Sequence, residues 1–433
     1  MQDRRAEAAT PAIAIVGGGA SGLAAAIAAA QTWRACGGGR AHAAARAGRL
    51  DIRIFEKDDR VGRSILATGN GRCNVFNTRP EAGGYRNFPF VREVLRAAED
   101  CRPPLAAVQG KTAVERFFSG LGLVWKEDEE GRCWPVTNKA STVLDVLRTG
   151  CRANGARECC DSPVTRIERD GAGSRFALRL ADGRISHADA VVVATGSGLA
   201  GGLLPEGIEA EPPTAMLCPL SVREKWVRSL ENIRVRAEVR LVRGDRTVRQ
   251  QAGEVQFRKF GVSGIAVFNL SRDARAGDQL VLDLLPAFDE VEAMAFLRRR
   301  LEAMGAALGR TPTVEETLSG LVLPRVGEVV LGQLGLAGNR PVAADDIDRL
   351  AAALKSVTLT VTGLANNVSH QITRGGIVVE QLAPETMQLA GAPGLFAAGE
   401  AVDVDADCGG FNLLWAWASG YLAGTSAAKM LAE

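Results

Sequence analysis

Ile13-Ala-Ile-Val-Gly-Gly-Gly-Ala-Ser-Gly-Leu23 decides the fold of this chain. The first residues form a short apolar run, the middle is a glycine turn, and an alanine-rich stretch follows. That order is strand, turn, helix. Gly17, Gly19 and Gly22 fit G-x-G-x-x-G, with Ala20 and Ser21 between the last two. The first glycine permits the tight turn, the second lets a pyrophosphate approach the backbone, and the third lets the helix pack on the strand. The helix start then offers free N–H groups and a positive dipole end to an anion. The plain alternative is a βα turn that binds nothing. The next apolar run, Asp51-Ile-Arg-Ile-Phe-Glu56-Lys57, is a second strand ending in a carboxylate suited to a ribose hydroxyl. Glu56 lies 39 residues after Gly17, where about 20 is usual. The excess falls in the Gly/Ala/Arg-rich run from Trp33 to Arg49, which reads as an enlarged surface loop.

The 433 residues exceed one ordinary core and predict two or three domains. A net charge of +2 provides no global field for nucleic acid or anionic membrane. No apolar run is long enough to span a bilayer, and the segment before the glycine turn lacks the apolar core of a signal peptide. The expectation is a cytoplasmic protein with no membrane partner and no nucleic-acid partner. Nine cysteines without a CxxC pair argue against a disulfide framework, and the adjacent Cys159 and Cys160 read as a strand-edge pair. Three scattered histidines do not form a metal-ligand pattern, so no metal is expected.

After Glu56 the stretch Val61-Gly-Arg-Ser-Ile-Leu-Ala-Thr-Gly-Asn-Gly-Arg-Cys-Asn74 is polar and rich in Gly and Asn. It has the composition of a loop that wraps a polar ligand with backbone N–H groups; an ordinary surface loop is the alternative. Thr142 to Arg148 has helical spacing, and the segments Ser162 to Glu168 and Arg175 to Leu180 alternate as strands. Asp189-Ala-Val-Val-Val-Ala-Thr-Gly196 reads as a buried parallel strand whose end approaches the ligand. Residues 215–372 read as one insertion. It is β-rich over 215–288 and 355–372 and helical over 289–354, with helices from Glu290 to Leu308, around Val314 to Leu334, and from Ala344 to Leu354. Residues 1–214 and 373–433 make up the enclosing α/β domain. Its last part has a strand ending at Gly399-Glu400, an acidic loop from Asp403 to Asp407, and Cys408-Gly-Gly-Phe-Asn412 before a long helix. Asn412 reads as that helix's capping residue, and Trp415 and Trp417 as packing residues.

Taken together these pieces resemble the YhiN-type, or aminoacetone-oxidase-like, FAD-binding flavoprotein family, which includes a bile-acid reductase. The resemblance spans nearly the whole chain. It rests on Thr68-Gly-Asn-Gly-Arg-Cys-Asn74, the segment from Pro135 to Leu147, Phe260-Gly-Val-Ser-Gly264, Thr373-Arg-Gly-Gly376, Ala398-Gly-Glu-Ala-Val-Asp403, Gly409-Gly-Phe-Asn412 and Trp415-Ala-Trp417. It implies an α/β fold: a glutathione-reductase-like FAD-binding Rossmann domain carrying an inserted β-rich, barrel-like and helical domain. It also implies a FAD-dependent oxidoreductase acting on a small organic substrate. FAD would contact Gly17, Gly19, Ala20, Ser21, Gly22, Glu56, Lys57, Arg63, Thr68, Gly69, Asn70, Arg72, Cys73 and Asn74. It would also contact Val164 near the adenine, Ala194, Thr195, Gly196, Gly399 and Glu400, and Gly410, Phe411, Asn412 and Leu413. No second glycine fingerprint follows a strand, so NAD(P)H is expected only as a transient electron donor at the flavin. An oxygen-using amine oxidase and a flavin-binding regulator without turnover stand as alternatives, and the oligomeric state is left open. The chain departs from the family pattern in three places, all bearing on the substrate side. The segment Ser197 to Pro213 after Ala-Thr-Gly is short, Lys259 stands where a His is common, and Leu414 stands where a Gln is usual.

Overall fold

A computed structural model describes residues 10–37, 49–101, 111–170, 175–199, 201–365 and 370–433. The chain divides into two compact units, residues 1–214 with 372–433, and residues 215–371.

The first unit is built on a seven-stranded sheet. Its order is Leu382–Ala383, Gln388–Leu389, Leu395–Ala397, Ala190–Val193, Ala12–Val16, Asp51–Phe55, Arg157–Cys159. The last five strands are parallel, with Ile13 beside Ala190 on one side and beside Ile52 on the other. Ala12–Val16 and Ala190–Val193 are buried at every residue, as continuous apolar runs require when both faces of a parallel sheet are covered. Helix Ala20–Ala35 follows the glycine turn. The C-terminal helix Phe411–Ala432 crosses it at close range. A Cβ on Gly420 would lie 2.3 Å from the Ser21 carbonyl oxygen, and one on Gly424 would lie 2.1 Å from that of Ala25. The two backbones can approach only because those positions are glycine. Trp33 lies inside the first helix and is buried, so the enlarged connection begins after it. Most of that connection lies outside the described residues.

The second unit is a closed six-stranded antiparallel barrel in the order Leu220–Val222, Gly261–Ser263, Arg246–Arg258, Arg234–Arg243, Gln279–Asp283, Val357–Leu364. Between its last two strands in sequence run helices Glu290–Leu308, Val314–Leu318, Pro324–Leu334 and Ala344–Lys355. Barrel and helices share one apolar core. The helical pattern around Val314 to Leu334 is two helices. Gly320 takes a positive φ of 75° between them, and Pro324 opens the second, where it needs no N–H.

Candidate flavin site

Because the central strands are parallel, their carboxyl ends share one edge, the place where open α/β sheets bind ligands. Four of those ends carry residues singled out from the sequence. Gly17, at φ 108°, follows the first strand, and a Cβ there would sit 2.2 Å from the Ala194 carbonyl oxygen. Ala194, Thr195 and Gly196 continue the neighbouring strand, and Gly399 and Glu400 follow the next. Gly22 closes the turn from the helix side, where a Cβ would lie 1.9 Å from the Gly17 oxygen. Gly19 differs from these: the nearest atom to a Cβ is Ser64 Oγ at 3.5 Å, so its surroundings leave its backbone approachable. Ala20 and Ser21 open the helix, and Ser21 abuts Gly399.

Glu56 stands just past the second strand. Its carboxylate accepts hydrogen bonds from the Gly18 N–H at 2.8 Å and the Asp58 N–H at 3.0 Å. The acid is therefore oriented by the glycine turn itself. Ser162 N–H donates to the Glu56 carbonyl, which brings the start of the Val164–Arg169 strand to the same corner. Lys57 is exposed. Arg63 is also exposed, and it pairs with Asp58 and Asp59 at 3.7 and 3.5 Å.

The 68–74 loop is held in unusual backbone conformations. Gly69, Asn70 and Cys73 all take positive φ near 55–58°. Thr68 Oγ1 donates to the Ile65 carbonyl. The Arg72 guanidinium stacks 4.8 Å over Trp134, whose indole N–H donates to Asp128. Cys73 is fully buried, and desolvation pushes its thiol up to about 11. Asn74 is 9% exposed, and its Oδ1 is buried with no hydrogen-bond partner.

That oxygen faces the start of the last helix: a Cβ on Gly410 would lie 2.7 Å from it. Gly410, at φ 91°, is the capping residue, and the helix runs from Phe411. Asn412 is not the cap. Its side chain turns back to bond Ala406 N–H and the carbonyls of Ala406 and Asp407, fastening the preceding loop. Leu413, in the first turn, is partly buried. Asn77 donates to the Gly409 carbonyl and Tyr85 to that of Phe411, while Trp417 donates to Val75. These bonds lock the 68–77 segment to the helix start. Trp415 and Trp417 are core residues whose indole N–H groups also bind backbone carbonyls.

Sequence reading missed the supports of this edge. The acidic 403–407 loop is buried, with Asp403 paired to Arg86 at 2.9 Å and Asp405 held by both arms of Arg374 at 2.8 and 3.0 Å. Arg374 belongs to strand Ile372–Ile377, where Gly375 and Gly376 have φ near 107–110° and no room for a Cβ. The alternating Asp403, Asp405 and Asp407 and the Thr-Arg-Gly-Gly run were the available signals. In that strand the Thr373 N–H donates to the Glu400 carboxylate. Burial first, and the charge of Asp405 in addition, push the Glu400 carboxyl above its ordinary range; the Thr373 bond opposes this. Glu400 and Thr373 are among the residues lining a cavity of about 330 Å³ within this unit.

The profile of a family described as HI0933-like protein Rossmann domain matches residues 11–426. A 3-dehydro-bile acid delta(4,6)-reductase from Clostridium scindens is 30% identical, over 96% of this chain and 99% of its own length. A ribosomal RNA dihydrouridine synthase from Escherichia coli is 25% identical, over 87% of this chain and 92% of its own. With such a relative present, the exclusion of nucleic acid drawn from net charge alone has no support. Net charge reports the average field and not the surface of one site. Among the described residues, no helix is long and apolar enough to cross a membrane.

Proposed function

This chain belongs to the HI0933-like Rossmann family and is a FAD-dependent oxidoreductase; on that premise we propose that it transfers hydride between FAD and a small organic substrate, with NAD(P)H as the transient donor. When bound, FAD supplies the hydride chemistry, and the protein supplies position and electrostatics. In this reading the Gly17–Gly22 turn and the helix behind it hold the pyrophosphate. Glu56, already oriented by Gly18, takes ribose hydroxyls. Glu400 meets the ribityl chain. The 68–74 loop and the residues from Gly410 to Leu413 hold the flavin ring, and the helix start presents N–H groups where negative charge develops on reduction. The buried Cys73 thiol, pushed up to about 11, stays neutral and acts as a wall rather than a nucleophile.

The observation that carries this reading is the Asn74 Oδ1, a buried acceptor with no protein donor, beside the helix start at Gly410. Buried polar groups without partners are rare and call for an explanation. A cofactor donor at that point supplies one. The fit is consistent with the approachable Gly19 and the preset Glu56 carboxylate.

A small-molecule substrate is preferred to RNA because the bile-acid reductase is the nearer of the two relatives reported, at 30% against 25% identity. The test is the absorbance spectrum of the purified protein followed by anaerobic mixing with NADPH and with NADH. A yellow protein whose flavin bleaches supports the reductase. A FAD-loaded protein that neither nicotinamide bleaches refutes it. Bleaching by an amine then points to the oxidase, and turnover no faster than that of free FAD to a regulator. Dihydrouridine formed in an rRNA transcript would replace the small-molecule reading.

A further inference from the structure

The loop proposed to hold the flavin ring takes its shape largely from its neighbours. Gly69 at φ 56°, Asn70 at 55° and Cys73 at 58° share the left-handed region, which a residue other than glycine enters at a cost. Within the loop the Arg72 N–H donates to the Gly69 carbonyl at 3.2 Å and the Cys73 N–H to that of Thr68 at 3.1 Å. Asn70 and Arg72 are exposed. The loop's outer supports come from one stretch, residues 132–147. Strand Arg132–Pro135 lies between strands Phe76–Asn77 and Trp125–Glu127, with Cys133 and Pro135 buried and Trp134 on the opposite face. A Cβ on Gly69 would lie 3.2 Å from Trp134 Cζ3 and 3.7 Å from Cη2, and the Arg72 guanidinium covers the indole at 4.8 Å. Asp128 fixes that indole, accepting from its N–H at 3.2 Å and from Arg132 Nε at 2.8 Å. The loop's exit is tied to the same strand, because the Val75 N–H donates to the Cys133 carbonyl at 2.8 Å. Its entry abuts the helix that follows, Ala140–Ala153: a Cβ on Gly62 would lie 2.1 Å from Leu144 Cδ1.

We propose that Trp134 is a positioning residue of the flavin site: its indole holds the turn from Gly69 to Arg72 in the shape that meets FAD, before FAD arrives. The proposal rests on the flavin-enzyme reading above. Trp134 acts through the loop and not on the cofactor, since its ring is occupied by Gly69 and Arg72. A loop already held in its bound shape lowers the ordering cost of association. When only a fraction of the protein has the loop in that shape, the apparent Kd rises as the inverse of that fraction. Without the indole, Asn70 and Cys73 keep their left-handed conformations but lose the surface on which the turn rests, so the fraction falls. The complex loses no contact to the cofactor. The loss therefore belongs to association and not to dissociation.

The test makes two measurements on Trp134→Ala and Trp134→Phe. The first is stopped-flow association and dissociation of FAD, read by flavin fluorescence. The alanine variant should bind FAD at least about tenfold more weakly, through slower association, with dissociation within about twofold of wild type. The phenylalanine variant keeps a ring for Arg72, loses the bond to Asp128, and should fall between the two. The second is hydrogen exchange of the FAD-stripped protein. The peptide over residues 68–74 should exchange faster in the variants, and that over 190–194 should be unchanged. If the alanine variant loses protection in the sheet as well, the phenylalanine variant carries the comparison. A weaker affinity that lies in dissociation overturns the proposal, because Trp134 then touches the cofactor itself. Unchanged affinity in a folded variant overturns it too, and so does a 68–74 segment that exchanges as in wild type. A wild-type protein that takes up no FAD fails the flavin-enzyme reading instead, and its spectrum, taken before the kinetics, shows which has failed.

Discussion

Replacing Asn74 with Leu should move two measurements in opposite directions. The Asn74 side chain is 9% exposed, and its Oδ1 is buried with no partner. A buried acceptor left without a hydrogen bond costs roughly 1–3 kcal/mol. Leucine keeps the branch at Cγ and removes both polar atoms. In flavin-free protein the variant escapes the cost, less a packing adjustment where the new methyls meet Gly410 and the Phe76 backbone. A net gain of about 1 kcal/mol corresponds to a rise in Tm of about 2–4 °C for a domain of this size. In the FAD complex the balance reverses. On the proposed assignment the wild-type oxygen gains a cofactor donor, whereas in the variant that donor is buried against a methyl group. FAD affinity should fall by roughly 1–3 kcal/mol, or about 5–150-fold. The assays are thermal unfolding of the FAD-stripped protein by circular dichroism and FAD titration by fluorescence quenching. A packing residue with no cofactor role behaves differently: its loss lowers Tm and leaves Kd alone. That pair of results would refute the assignment of Asn74 to the flavin site.

Four further outcomes are expected. Cys73→Ser should retain most flavin reduction, and Cys73 in the folded protein should resist iodoacetamide at pH 8, because its thiol sits at about 11 and is fully buried; rapid labelling would contradict both. Gly424→Val should cost about 3 kcal/mol or more in denaturant unfolding, since its Cβ starts 2.1 Å from the Ala25 oxygen and overpacking of this severity exceeds the usual range; an unchanged midpoint would show that the two helices can separate freely. Glu400→Gln should help flavin-free protein more at high pH than at low. A carboxyl raised in the folded state contributes stability that is full below about pH 4.5, its unfolded value, and is lost as pH rises through the folded value; a Tm difference between variant and wild type that does not change with pH would count against the raised carboxyl. Gly410→Pro should yield misfolded or FAD-free protein, because φ 91° is closed to proline and any Cβ collides with Asn74 and Phe76; a folded, flavin-loaded variant would show that the turn can rearrange.

The sheet was legible because its signals are local and strong. Ile13 to Leu23 contains a whole strand, turn and helix start, and the Val191–Val193 run has the unbroken apolarity of a doubly covered strand. The glycine spacing identified Gly17 and Gly22 as positions where no Cβ fits. The insertion was legible as β and helical from the residues, and its barrel-like form, which the structure shows closed, came only from the family resemblance. Closure depends on Val357–Leu364 pairing with Gln279–Asp283 across all four helices, and periodicity carries no such information. The split of the pattern around Val314 to Leu334 was legible in principle from Gly320 and Pro324, two breakers that an apolar repeat had masked.

The site was legible where chemistry follows from residue type and hidden where it follows from partners. Glu56 could be read from a carboxylate at a strand end. Its orientation could not, because the Gly18 N–H that fixes it lies 38 residues away in sequence. Asn412 illustrates the opposite error. Asparagine just before a helix is a favoured cap, but two glycines precede it, and Gly410 takes the left-handed cap conformation more cheaply. That frees the Asn412 amide to fasten the acidic loop. The loop itself reads as solvated surface, since carboxylates are rarely buried unless paired. Here the pairing comes from Arg86, 317 residues before Asp403, and from Arg374, 31 residues before Asp405 on a separate strand. Arg374 stands in the Thr373-Arg-Gly-Gly376 run, but nothing in the sequence says which acid it pairs with, and Arg86 carries no mark at all. The Asp405–Arg374 pair is therefore a tertiary fact, and through Thr373 it reaches the Glu400 carboxylate. The residues proposed to touch ligand are read from motifs, whereas those that hold them in place become visible only when the chain is folded.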